Sequence, residues 1–80
     1  MTEVEIEYCV PCGMLGRAQD IQQDILEEFG EEVDRVALVT GDAGVFEVRA
    51  NDEVVFDKEA DEFDRAAIVD GVRSHVGATA

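Results

Sequence analysis

Glu3-Val4-Glu5-Ile6-Glu7-Tyr8-Cys9-Val10-Pro11-Cys12 carries the junction on which the fold turns. Val4, Ile6 and Tyr8 alternate with three glutamates, the pattern of a strand with one buried and one wet face. Cys9 and Cys12 are the chain's two cysteines, with two residues between them. Just beyond, Leu15, Ala18, Ile21, Ile25 and Phe29 recur at helical spacing, with Asp20, Asp24, Glu27 and Glu28 elsewhere on the cylinder. A C-x-x-C at a strand–helix junction reads as a thiol–disulfide redox pair. On a helix's first turn, positions three apart face the same way, so both sulfurs can meet there. Pro11 suits that turn, where a missing N–H costs nothing. Unpaired N–H groups and the positive end of the helix dipole would favour a thiolate.

Working outward, Gly30 is a natural helix stop. Residues 33–40 hold the run Val36-Ala37-Leu38-Val39, too short and too β-branched for a helix, and read as a strand. After the loop Gly41-Asp42-Ala43-Gly44, Phe46, Val48 and Ala50 alternate with Glu47 and Arg49 in a third strand. Asn51-Asp52 reads as a two-residue hairpin turn, and Glu53 to Asp57 as a returning strand suited to a sheet edge. Asp61 or Asp64 caps a last helix whose stripe is Phe63, Ala67, Ile68, Val72 and Val76, ending at Gly77. Gly71 within it costs about 1 kcal/mol relative to alanine. The order β-α-β-β-β-α predicts a parallel first pair, an antiparallel hairpin and a four-stranded mixed sheet. The acidic face of the first strand places both helices on the opposite face, an α+β two-layer sandwich. Arg35 and Arg49 are candidates to pair with the glutamates on the open face.

Eighty residues make one small domain, spanning 1–80. The chain carries 20 acidic and 6 basic residues, a net charge of −14. That balance argues against binding nucleic acid or anionic membranes. Hydrophobic residues at 46% in periodic runs argue against disorder. Acidic, lysine-poor composition suits a protein working in brine, where screening removes self-repulsion, so a salt-adapted source is expected. No signal peptide or membrane span is visible, so a cytoplasmic location is expected. There, a cysteine pair persists because it reacts or binds something.

A closed structural zinc site needs about four ligands, and beyond the cysteines only His75 is on offer, so no metal is expected in the monomer. His75 reads as a polar group near a helix C-terminus. Tyr8 reads as core packing beside the pair, and Arg17 as a solvated helix position with a thiolate-holding role as the alternative. No phosphate loop, flavin site or nicotinamide site is evident, so no cofactor is expected.

Two motifs carry a family resemblance. Tyr8-Cys9-Val10-Pro11-Cys12-Gly13 with Leu15-Gly16-Arg17-Ala18 resembles the opening of the selenoprotein W-like (Rdx) family, within the thioredoxin-like superfamily. Gly44-Val45-Phe46-Glu47-Val48 followed by Asp52 to Lys58 resembles that family's second signature. The resemblance implies a thioredoxin-like fold and a redox-active pair at Cys9 and Cys12. In selenium-containing members the selenium stands at the position of Cys12, whereas in thioredoxins the cysteine matching Cys9 attacks. A sulfur at the helix cap would receive the free N–H groups, which favours Cys9 as the attacking residue. Residues 40–44 lack the proline that thioredoxins place beside their disulfide, which points away from a general disulfide reductase. Glu59-Ala60-Asp61-Glu62 stands where the family is basic, which counts against an anionic partner such as glutathione.

The expected function is a small thiol–disulfide oxidoreductase cycling Cys9 and Cys12 against a protein or low-molecular-weight thiol. The alternative is an interaction module that docks partners through a redox-switchable C-x-x-C edge.

Overall fold

The computed structural model describes residues 2–76. β1 (Glu3–Cys9) leads to α1 (Leu15–Phe29), and a single 3-10 turn over Gly30–Glu32 passes the chain to β2 (Arg35–Gly41). β3 (Phe46–Ala50), β4 (Glu53–Asp57) and α2 (Arg65–Val76) complete the order. The four strands form one mixed sheet in the order β2-β1-β3-β4. β1 runs parallel to β2 and antiparallel to β3, with β4 antiparallel at the outer edge. α1 packs on β1 and β2, α2 on β3 and β4, and the helices touch each other, giving the two-layer arrangement.

The core follows the alternation. Val4, Ile6 and Tyr8 of β1 and Phe46, Val48 and Ala50 of β3 meet Ile21 and Ile25 of α1 and Ile68 and Val72 of α2. The opposite sheet face is ionic. Arg49 reaches Glu5 at 3.5 Å, Glu7 at 3.2 Å and Glu47 at 3.1 Å. Burial alone would lower the Arg49 pKa, but hydrogen bonds to Glu7 and Glu47 outweigh it and raise it. Arg35, expected to share this role, forms no ion pair among the described residues; it lies at the far end of β2, opposite Glu3.

Asn51 and Asp52 turn the hairpin with φ of +52° and +69°, the left-handed pair that a two-residue turn requires. Asn51 also ties the turn to β1, its side-chain oxygen accepting from the Glu3 amide at 2.9 Å. The β3–β4 register shifts so that Val48 faces Phe56 and Arg49 faces Val54. The residue between, Val55, lies against α2: a Cβ on Gly71 would stand 3.0 Å from the Val55 Cβ. The glycine that weakens the helix pattern is therefore where α2 closes onto the sheet edge.

The apolar stripes differ from expectation at three positions. Leu15 is 45% exposed, because the face of α1 that meets the sheet begins one turn later at Ala18. Ala67 is exposed on the outer side of α2. Phe63 precedes α2, because Asp64 is the cap: its Oδ1 accepts from the amides of Ala66 at 3.0 Å and Ala67 at 3.3 Å. Gly77, expected to end that helix, lies outside the described residues.

Candidate functional site

β1 delivers Cys9 to the end of the sheet, next to β2. The Val10 amide extends the pairing one step, donating to the Gly41 carbonyl at 3.0 Å. The chain then reverses through a β-turn closed by the Gly13 amide and the Val10 carbonyl at 3.2 Å. Gly13 takes φ of +73°, a left-handed conformation that L side chains resist, and α1 starts only after Met14. This corrects the expected placement on the first helical turn. Cys9 is the last residue of a strand, and Pro11 and Cys12 belong to the turn. Cys9 is therefore not at a helix cap, and that position belongs to Met14.

The turn still brings the sulfurs together. Cys9 and Cys12 are joined in a disulfide, with Cα atoms 5.3 Å apart. Their environments are unequal. Cys9 is fully buried, although the strand alternation would put it on the open face with Glu5 and Glu7. Cys12 is exposed. Around it lie apolar side chains that reach solvent: Val10 is 49% exposed and Phe63 37%.

The Cys12 side of the disulfide opens into a groove of about 480 Å³, lined by Cys12, Met14, Arg17, Asp20, Phe63 and Arg65 among others. Three elements build it: the turn, the first half of α1 and the entry to α2. Phe63 is its aromatic wall. It packs edge-on against Phe46 at 5.9 Å and Phe56 at 6.0 Å between ring centroids, and the three rings form a triangle. The Arg17 guanidinium lies 4.5 Å over the Phe63 ring. Arg65 is engaged elsewhere, its Nε and Nη2 donating to the two carboxylate oxygens of Asp24 at 2.6 and 2.8 Å. That hydrogen-bonded pairing holds the Asp24 carboxyl below the usual carboxylate range.

Of the other residues singled out in the sequence, Tyr8 is buried in the core. His75 faces the Glu53 carboxylate at 3.7 Å, in the last turn of α2. Among the described residues no cluster of three or more His, Cys, Asp or Glu side chains converges as a metal-ligand set. No helix among them is long and apolar enough to cross a membrane. Phe63 and Arg65 did not stand out as site residues in the sequence. The usable signal was the Asp64 cap, because an apolar residue just before a cap sits outside the helix and packs back onto the body.

Comparison with known proteins converges on one family. The family model described as Rdx family matches residues 3–74. No curated protein gave a match to the sequence. A crystal structure of a Bordetella parapertussis protein is similar at 33% identity, over 92% of this chain and 96% of that one, with a TM-score of 0.87. The selenoprotein W-related protein from Vibrio cholerae is similar at 27% identity, over 94% and 96%, with a TM-score of 0.86. A mixed four-stranded sheet with two helices on one face, a C-x-x-C turn at the end of β1 and a family match over nearly the whole length lead to one conclusion: the chain belongs to the Rdx family.

Proposed function

We propose that this protein is a small thiol–disulfide oxidoreductase in which Cys9 and Cys12 form the reacting pair. The observation that supports this best is the unequal exposure of two bonded cysteines, one fully buried and one exposed beside a groove. Exchange proceeds by in-line attack of a thiolate on a disulfide sulfur, so access decides which sulfur is hit. A partner thiolate attacks the Cys12 Sγ, the Cys9–Cys12 bond breaks, and its electron pair leaves on Cys9. A second partner thiolate attacks the partner's sulfur in the mixed disulfide, and Cys12 departs as a thiolate. The pair has gained two electrons and the partner leaves oxidised to its own disulfide. Run in reverse, the Cys12 thiolate attacks a partner disulfide, and Cys9 then attacks Cys12 to release the reduced partner. This assigns attack to Cys12 and resolution to Cys9, opposite to the helix-start expectation. The partner is a protein or low-molecular-weight thiol in a reducing compartment such as the cytoplasm.

Trapping with single variants tests the scheme. In Cys9→Ser the mixed disulfide at Cys12 has no internal thiol to resolve it and accumulates; Cys12→Ser, left with the buried sulfur, traps little. Equal trapping by both variants would refute the assignment. No trapping by either, together with no titratable disulfide in the unaltered protein, would refute redox exchange and leave a docking role for this edge.

A further inference from the structure

We propose that the groove beside Cys12 selects small thiols that carry a carboxylate, with Arg17 as the group that receives it. The inference rests on the exchange chemistry proposed above and names its substrate class. Only 6 of the chain's residues are basic against 20 acidic, yet Arg17 and Arg65 both line this one groove. The charge on Arg65 is already answered by Asp24 through two hydrogen bonds. Arg17 has no ion pair among the described residues; Asp20, one helical turn on, lines the same groove without pairing to it. The Phe63 ring holds the Arg17 guanidinium by its face, and Phe46 and Phe56 hold Phe63 in turn. The result is an exposed, braced guanidinium with no ion-pair partner among the described residues, lining the same groove as the exposed Cys12.

A guanidinium in that state fits a carboxylate, which it binds with charge-assisted hydrogen bonds. The size of the groove, about 480 Å³, falls in the range of small-molecule sites, about 300–1,000 Å³. An acidic protein surface would bring many carboxylates against a chain of net charge −14, whereas a small thiol brings one or two to a groove that holds a guanidinium without an ion-pair partner among the described residues. The acidic stretch at residues 59–62, which counts against an anionic partner in the sequence, is absent from this groove's lining.

The test is reduction of the Cys9–Cys12 disulfide by 3-mercaptopropionate and by 2-mercaptoethanol at matched thiolate concentration. Progress is read by acid quenching, alkylation and mass. At low salt, Arg17→Gln should slow the carboxylate thiol about three- to fivefold, the size of an exposed guanidinium–carboxylate contact, and leave the neutral thiol unchanged. Arg17→Lys should keep most of the preference, and molar salt should erase it. Arg35→Gln removes the same charge at the far end of the sheet and should change neither rate. Equal slowing of both thiols by Arg17→Gln, or an equal effect from Arg35→Gln, would overturn the subsite. Exchange with both thiols that ignores Arg17 sinks the subsite alone, whereas no reduction by either thiol sinks the exchange chemistry along with it.

Discussion

Replacing Arg49 with methionine removes one positive charge and leaves three carboxylates facing each other on the open side of the sheet. The guanidinium reaches Glu5, Glu7 and Glu47 at 3.1–3.5 Å, all from side chains that are about one-fifth to one-third exposed. Glu7 and Glu47 stand directly opposite in the β1–β3 register, a like-charge arrangement that is unfavourable without a cation between. Methionine keeps the apolar stem, so the change is chiefly in charge. Each partly exposed ion pair contributes about 0.5–1 kcal/mol, and three pairs sharing one guanidinium do not add fully, so about 1.5 kcal/mol is lost. Unanswered repulsion between Glu7 and Glu47, about 5 Å apart at the Cβ atoms in a water-like dielectric, adds roughly 0.5–1 kcal/mol. The expected loss is about 2 kcal/mol, or about 10 °C in Tm for a domain of this size. The screening length falls from about 10 Å at 0.1 M salt to about 3 Å at 1 M, so molar salt should return roughly half of that loss or more. Urea unfolding followed by circular dichroism at the two salt concentrations measures both numbers. An equal loss at low and high salt would refute the electrostatic account and assign the role of Arg49 to packing.

Three further outcomes are expected. Gly71→Ala should destabilise by about 1 kcal/mol in urea despite a better helix residue, because the new Cβ meets Val55 at 3.0 Å and overpacking of about 1–3 kcal/mol exceeds the helix gain of about 1; a more stable variant would show that the edge strand yields. Asp24→Asn should be less stable than the unaltered chain at neutral pH. Asp24 has a lowered pKa when folded, so the unfolded chain takes up its proton first as pH falls. The difference between the two proteins should thus be full above about pH 4 and close as pH drops through the lowered native value; a constant gap from pH 7 to pH 2 would remove Asp24 as its source. The unaltered chain, at net charge −14, should gain stability from low to molar salt, and a flat response would argue against adaptation to brine.

Most of the fold was legible because it is written in short-range periodicity. Alternation in Val4-Glu5-Ile6-Glu7-Tyr8 specifies a one-sided strand, and the spacing of Ala18, Ile21, Ile25 and Phe29 specifies a helix face, whatever lies elsewhere in the chain. Asn51-Asp52 fixed the hairpin through its tolerance of positive φ. The acidic face of β1 fixed the side from which both helices are excluded, since three glutamates cannot be buried under a helix without partners. Boundaries were less legible: Leu15 and Phe63 match a helical pattern by spacing, yet one is exposed and the other is cut off by the Asp64 cap.

The sequence by itself determined that two cysteines could be bonded, since a separation of three fits a turn or a helical start equally well. Tertiary structure alone decided which cysteine faces solvent: strand alternation puts Cys9 on the open face with Glu5 and Glu7, yet in the folded chain it is fully buried while Cys12 is exposed. It also decided that Arg17 lines the same groove as Cys12 and lies over an aromatic ring. Arg17 and Phe63 are 46 positions apart by number, and only the packing of α2's entry against α1 sets the ring beneath the guanidinium. Local pattern encodes which face each element buries; the meeting of distant faces, where chemistry is placed, is encoded only in how the elements pack.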